Sequence, residues 1–145
     1  MDATRTDDDA RRLDLLRRLD LLSAKPDEAL DRLSRIAAAV TGASIALITF
    51  VAGDRQFIRS RVGTAATVAS LKDGFCLVTL EGPPWVEIED LARDARFRDN
   101  PYVRGEGAIR SYAGVPLRFD GEVLGTVCVL DARRSEEHTS ELQSP

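Results

Sequence analysis

Leucines recur at Leu13, Leu16, Leu19 and Leu22 among arginines and aspartates, a near-helical spacing that predicts an amphipathic first helix after a polar, disordered leader over residues 1–9. A second helix follows. Pro26 suits its first turn, Asp27 and Glu28 suit its positive end, Leu30, Leu33, Ile36, Ala37 and Val40 form its apolar stripe, and Gly42 is its C-cap.

The period then changes. Residues 44–51 are almost wholly apolar, as in a central strand, and Gly53-Asp54 turns the chain into a more polar run over 56–62, read as an edge strand. Residues 64–72 show no period and read as a loop, 73–80 as a short helix, and 82–84 as a Gly-Pro-Pro break. A brief strand at 85–88 precedes a short helix through Arg93 capped by Asp90, and residues 96–107 form an ordered loop. Two apolar, β-branched runs, 109–119 and 123–130, meet at Asp120-Gly121, the dipeptide that best tolerates the positive φ angles of a tight hairpin. Alternation puts Val123, Gly125, Val127 and Val129 on one face of the last strand and Leu124, Thr126, Cys128 and Leu130 on the other. Gly125 marks a close backbone approach.

With 145 residues, 43% of them hydrophobic and 30% charged, the chain is one domain's worth of core. A net charge of -4 gives no basic footprint for nucleic acid or an anionic membrane surface. No apolar run approaches a membrane span and the start lacks a signal peptide's apolar core, so the expected compartment is the cytoplasm. Residues 134–145 read as the translation of a sequencing-library adapter, or else as a polar tail with a short helix. In the first case the one histidine, His138, is foreign to the protein. The domain proper is then 10–133.

Several segments resemble the GAF family, in its order and spacing: residues 46–63 (ALITFVAGDRQFIRSRVG), Phe75-Cys76, 94–103 (DARFRDNPYV), 109–117 (IRSYAGVPL) and 124–131 (LGTVCVLD). The likeness is to sensor-type domains at the N-termini of bacterial histidine kinases and diguanylate cyclases. It implies an α+β, PAS-like fold: an antiparallel sheet of five to six strands, two N-terminal helices on one face, and short helices and loops over a pocket on the other. It further implies a missing C-terminal helix and output domain, and a homodimer in the full-length protein.

The candidate pocket residues are Phe75, Cys76, Phe97, Asp99, Asn100, Arg110 and Tyr112. Arg110 and Tyr112, two apart on one strand, would leave the same face and meet a polar ligand; alternatively Arg110 pairs with Asp99 or Asp94 while Tyr112 is core. Phe75-Cys76 matches the family pair, but Leu77, Val78 and Thr79 replace its usual Ala-His-Ala continuation, which removes the histidine sought for bilin or haem. No cofactor is expected. Cys76 reads as a core thiol, since reactivity would need a cation or helix N-terminus beside it. Asp90, Asp94, Asp99 and Asn100 match no calcium-loop spacing and sit among Arg93, Arg96 and Arg98, as salt bridges and caps do. Without a native histidine, neither a Ser-His-Asp nor a Cys-His arrangement can be assembled.

The expected function is thus a non-catalytic, small-molecule-sensing domain of a signal-transduction protein, of two-component or cyclic-dinucleotide type. Two alternatives remain. One is a ligand-free dimerisation or packing unit using the Leu13–Leu22 helix, and the other a redox enzyme like methionine sulfoxide reductase using Cys76 and Cys128.

Overall fold

A computed structural model describes residues 3–23, 25–70, 74–81, 84–105 and 108–133, with side chains described from Asp9 onward except Ser70. The expected tail, 134–145, lies outside the described residues. The elements run α1 (Ala3–Arg18), α2 (Glu28–Thr41), β1 (Ile45–Ala52), β2 (Arg55–Val62), β3 (Val68–Ser70), α3 (Leu77–Leu80), β4 (Val86–Ile88), a 3-10 turn (Leu91–Arg93), α4 (Pro101–Arg104), β5 (Ser111–Phe119) and β6 (Glu122–Asp131). All strand pairs are antiparallel, and the six lie in the order β3-β2-β1-β6-β5-β4.

The turn chemistry of the sequence is realised. Asp120 and Gly121 both take positive φ, 49° and 76°, as the hairpin joining β5 to β6 demands. Gly42 ends α2 at φ 74°, donating its N–H to the Ala38 carbonyl, while Asp27 caps the other end by accepting from Leu30 N–H. Pro26 therefore precedes the cap instead of entering the first turn. The helical backbone of α1 begins at Ala3, so the leader expected to fray is continuous with it, and it ends at Arg18, before Leu19 and Leu22.

β2 is not an edge. The 64–72 segment read as a loop contains β3, which pairs outside β2 through Arg55 with Ser70 and Phe57 with Val68. Three residues are too few to show a period. The β5–β6 register also slips between Leu117 and Arg118. As a result Leu124 packs with Leu16, Ile48 and Phe50 under the helices, not with Cys128 and Leu130 as strict alternation requires.

Each sheet face carries its own core. Leu16, Ile48, Phe50 and Leu124 lie beneath α1 and α2. Phe75, Cys76, Ile88, Leu91, Phe97, Val103, Tyr112, Cys128 and Leu130 fill the opposite face beneath α3, α4 and the 3-10 turn. α2 meets β2 through a polar seam: Ser34 and Ser60 hydroxyls lie 2.6 Å apart, and Ser60 donates to Asp31 Oδ1 at 2.7 Å. That seam sets the helix's rotation. Much of its expected apolar stripe faces outward, with Leu33 52%, Ile36 57% and Val40 65% exposed.

Candidate functional site

A cavity of about 190 Å³ opens between the sheet and the α3–α4 side. β1 directs alternate residues to it, Ile45 and Leu47, while Ala46 and Ile48 point toward the helices and are fully buried. Ile58 of β2, Leu130 and Cys128 of β6, and Tyr112 of β5 complete the sheet side. Phe75 and Cys76, just before α3, Tyr102 on α4, and Ile109 close it from above.

Several polar groups of this wall are engaged. Tyr112 and Thr79 hydroxyls lie 2.6 Å apart, tying β5 to α3. Cys76 Sγ lies 3.4 Å from Thr126 Oγ1, which is 3.0 Å from Thr49 Oγ1. Gln56 is buried against Gly74, where an added Cβ would fall 2.1 Å from the Gln56 amide nitrogen. A hydrogen bond with Cys128 draws the Cys76 thiol down to about 7, against burial that raises it. The same bond, then burial, pushes Cys128 well above its ordinary value. Once Cys76 ionises, Cys128 holds its own proton more tightly, so only one of the two becomes a thiolate readily. Burial, reinforced by the neighbouring thiols, raises the Tyr112 phenol.

Of the residues singled out in the sequence, the structure brings Phe75, Cys76 and Tyr112 to the cavity wall. Phe97 stands behind it, its ring edge-on to Phe75 at 5.2 Å between centroids. Asp99, Asn100 and Arg110 are not in the wall. β5 starts only at Ser111, so the two-residue alternation does not reach Arg110. Its guanidinium instead lies 3.1 Å from Asp90. That partner is neither Asp99 nor Asp94. Asp99 pairs with Arg104 at 3.4 Å, and Asn100 caps α4 by accepting from Tyr102 N–H at 2.8 Å. Asp90 likewise caps the 3-10 turn, and Asp94 bonds Arg96 at 2.8 Å. Among the described residues, no three His, Cys, Asp or Glu side chains converge as a metal site would need.

Sequence reasoning missed most of the wall, including Ile45, Leu47, Gln56, Ile58, Tyr102 and Ile109. The strand alternation carried a signal for Leu47 and Ile45; nothing local pointed to Tyr102.

The pattern that defines the GAF domain matches residues 25–144. The chain belongs to the GAF domain family. A curated relative, "Cyclic di-GMP phosphodiesterase PA2567" of Pseudomonas aeruginosa, is 39% identical over 114 residues, which cover 78% of this chain and 19% of that protein. The chain therefore spans about a fifth of that relative's length. Solved structures share the fold at low identity. The GAF domain of an Acinetobacter phosphoenolpyruvate-protein phosphotransferase superposes with a TM-score of 0.61 at 18% identity, covering 98% of this chain and 89% of that one. A free methionine-R-sulfoxide reductase from Neisseria meningitidis, solved with its substrate, gives 0.60 at 16%, covering 85% and 77%. The α+β GAF architecture expected from the sequence is the one observed. Among the described residues, no helix is long and apolar enough to cross a membrane.

Proposed function

We propose that this GAF domain is a regulatory, small-molecule-sensing unit of a larger cytoplasmic signalling protein, and that it binds its ligand without transforming it. The observation that carries the reading is the 190 Å³ cavity, walled jointly by the sheet and by the short elements above it. A ligand there touches β1, β6 and α4 at once, so it favours whichever relative arrangement of sheet and overlying elements it binds more tightly. It shifts the equilibrium only by that difference in affinity.

Kinship with a cyclic di-GMP phosphodiesterase supports placing the host protein in cyclic-dinucleotide signalling. The test is native mass spectrometry of the purified chain, together with differential scanning fluorimetry against a metabolite library. A retained molecule, or a ligand raising Tm in a concentration-dependent way, is expected. Turnover that depends on Cys76 would overturn the non-catalytic reading.

One observation favours a second reading, a packing unit that joins two copies. Leu33, Ile36 and Val40 form an outward apolar stripe along α2. In the Leu13–Leu22 segment expected to supply such an interface, Leu16 is fully buried against the sheet and Leu19 is 39% exposed.

A further inference from the structure

We propose that the cavity takes a neutral, largely apolar molecule of roughly benzene to indole size. This rests on the reading of the cavity as a ligand site and narrows it.

Volume sets the size. A cavity of ~150 Å³ lined by aliphatic and aromatic side chains is known to hold benzene, and this one offers about 190 Å³. A dinucleotide does not fit such a space. The wall sets the polarity, since Ile45, Leu47, Ile58, Leu130, Phe75 and Tyr102 supply most of it, and the described lining residues include no Asp, Glu, Lys or Arg.

A charged ligand would need a counter-charge, because an ion taken out of water without one costs several kcal/mol. Among the described residues, two cations near the cavity are committed elsewhere. Arg110 is held at Asp90 and Arg96 at Asp94, and both acids line a separate surface cleft with Glu87, Glu89 and Arg93. The Tyr112 hydroxyl is engaged with Thr79 and, behind the wall, Thr126 with Thr49, which leaves the Tyr102 hydroxyl as a polar handle in the lining. A ligand rich in donors and acceptors would lose more hydrogen bonds to water than it regained. The sulfurs of Cys76 and Cys128, hydrogen-bonded to each other and Cys76 also to Thr126, still present soft surfaces that suit the edge of an aromatic ring.

The experiment titrates the intact chain with indole, with indole-3-carboxylate as the same ring carrying a charge at pH 7, and with methionine sulfoxide and cyclic di-GMP. Binding is followed by calorimetry and by ¹H–¹³C methyl shifts of Ile45, Leu47, Ile58 and Leu130. Indole should bind at least tenfold more tightly than indole-3-carboxylate and move those four methyls. Leu47→Phe, which fills the space, should weaken indole at least tenfold; if that variant does not fold, the wild-type methyl map decides instead. A charged probe that binds the cavity as tightly as indole would overturn the neutral class while leaving the sensing reading intact. Indole shifts centred instead on the groove of Trp85, Val115 and Val127 would also overturn it. If no probe binds, native mass spectrometry and the metabolite screen decide: a charged molecule retained or raising Tm sinks the neutral class alone, the absence of both a retained molecule and a metabolite raising Tm sinks both readings, and a neutral one sustains both.

Discussion

The hydroxyls of Tyr112 and Thr79 meet at 2.6 Å in a fully buried position, joining β5, one strand in from the β4 edge of the sheet, to the four-residue helix above the cavity. Removing the phenol oxygen leaves the threonine hydroxyl without its partner and away from water. Tyr112→Phe is expected to cost about 1–3 kcal/mol, read from the urea midpoint. Tyr112→Phe with Thr79→Val should cost clearly less than the two single changes added together. Strict additivity would show that the bond contributes nothing.

Two glycines of the same hairpin should respond differently to alanine. At Gly125, which pairs with Phe50, a Cβ would sit 1.9 Å from the Thr49 carbonyl oxygen, so β1 and β6 must separate. Gly125→Ala is expected to lower stability by about 3 kcal/mol or more, at the upper end of overpacking costs. Gly121 has open space around it and a φ of 76°, so Gly121→Ala carries only the left-handed backbone penalty, about 1–2 kcal/mol. Chemical denaturation of both variants checks the order.

The outward stripe of α2 predicts self-association. Sedimentation velocity across a range of concentrations should show a dimer, and Ile36→Glu with Val40→Glu should return the protein to monomer without lowering its Tm by more than about 2 °C, since both positions are mostly exposed. A dimer that survives the double change would place the contact elsewhere.

Asp94 gives a pH dependence of known sign. The side-chain hydrogen bond from Arg96 is the largest influence holding its carboxyl below the usual range. A depressed folded-state pKa stabilises fully above the unfolded value of about 3.9 and loses that contribution as pH falls through the folded value. Arg96 is 56% exposed, so solvent screening limits the pair to under about 1 kcal/mol. Asp94→Asn should therefore lower Tm slightly at pH 7, and the difference should vanish by about pH 2. A difference unchanged at pH 2 would rule out the ion pair as its cause.

Much of the architecture was readable because particular residues leave little choice. Asp120-Gly121 fixes a hairpin, Asp27 and Gly42 bracket a helix, and the almost wholly apolar run of β1 requires cover on both faces. What could not be read is set by contacts distant in sequence. β3 exists because β2 offers it an edge, and α2 is turned by Ser60, 26 positions beyond Ser34. The site was legible at Phe75, Cys76 and Tyr112. It was misplaced at Arg110 because a strand that starts two residues later, at Ser111, removes the shared face. Ile58 and Gln56 line the cavity from a strand whose polar sequence suggested an edge.

β6, the last strand among the described residues, is central in the sheet, with β1 on one side and β5 on the other, and Arg12 of the first helix donates to the Val123 carbonyl 111 residues away. Until the ribosome has released residue 131, Leu16, Ile48 and Phe50 have no Leu124 to close over, and the first half of the chain keeps an open β1 edge. Folding must then wait for nearly the whole domain to emerge, which makes the nascent chain a natural client for chaperones that shield unpaired strands.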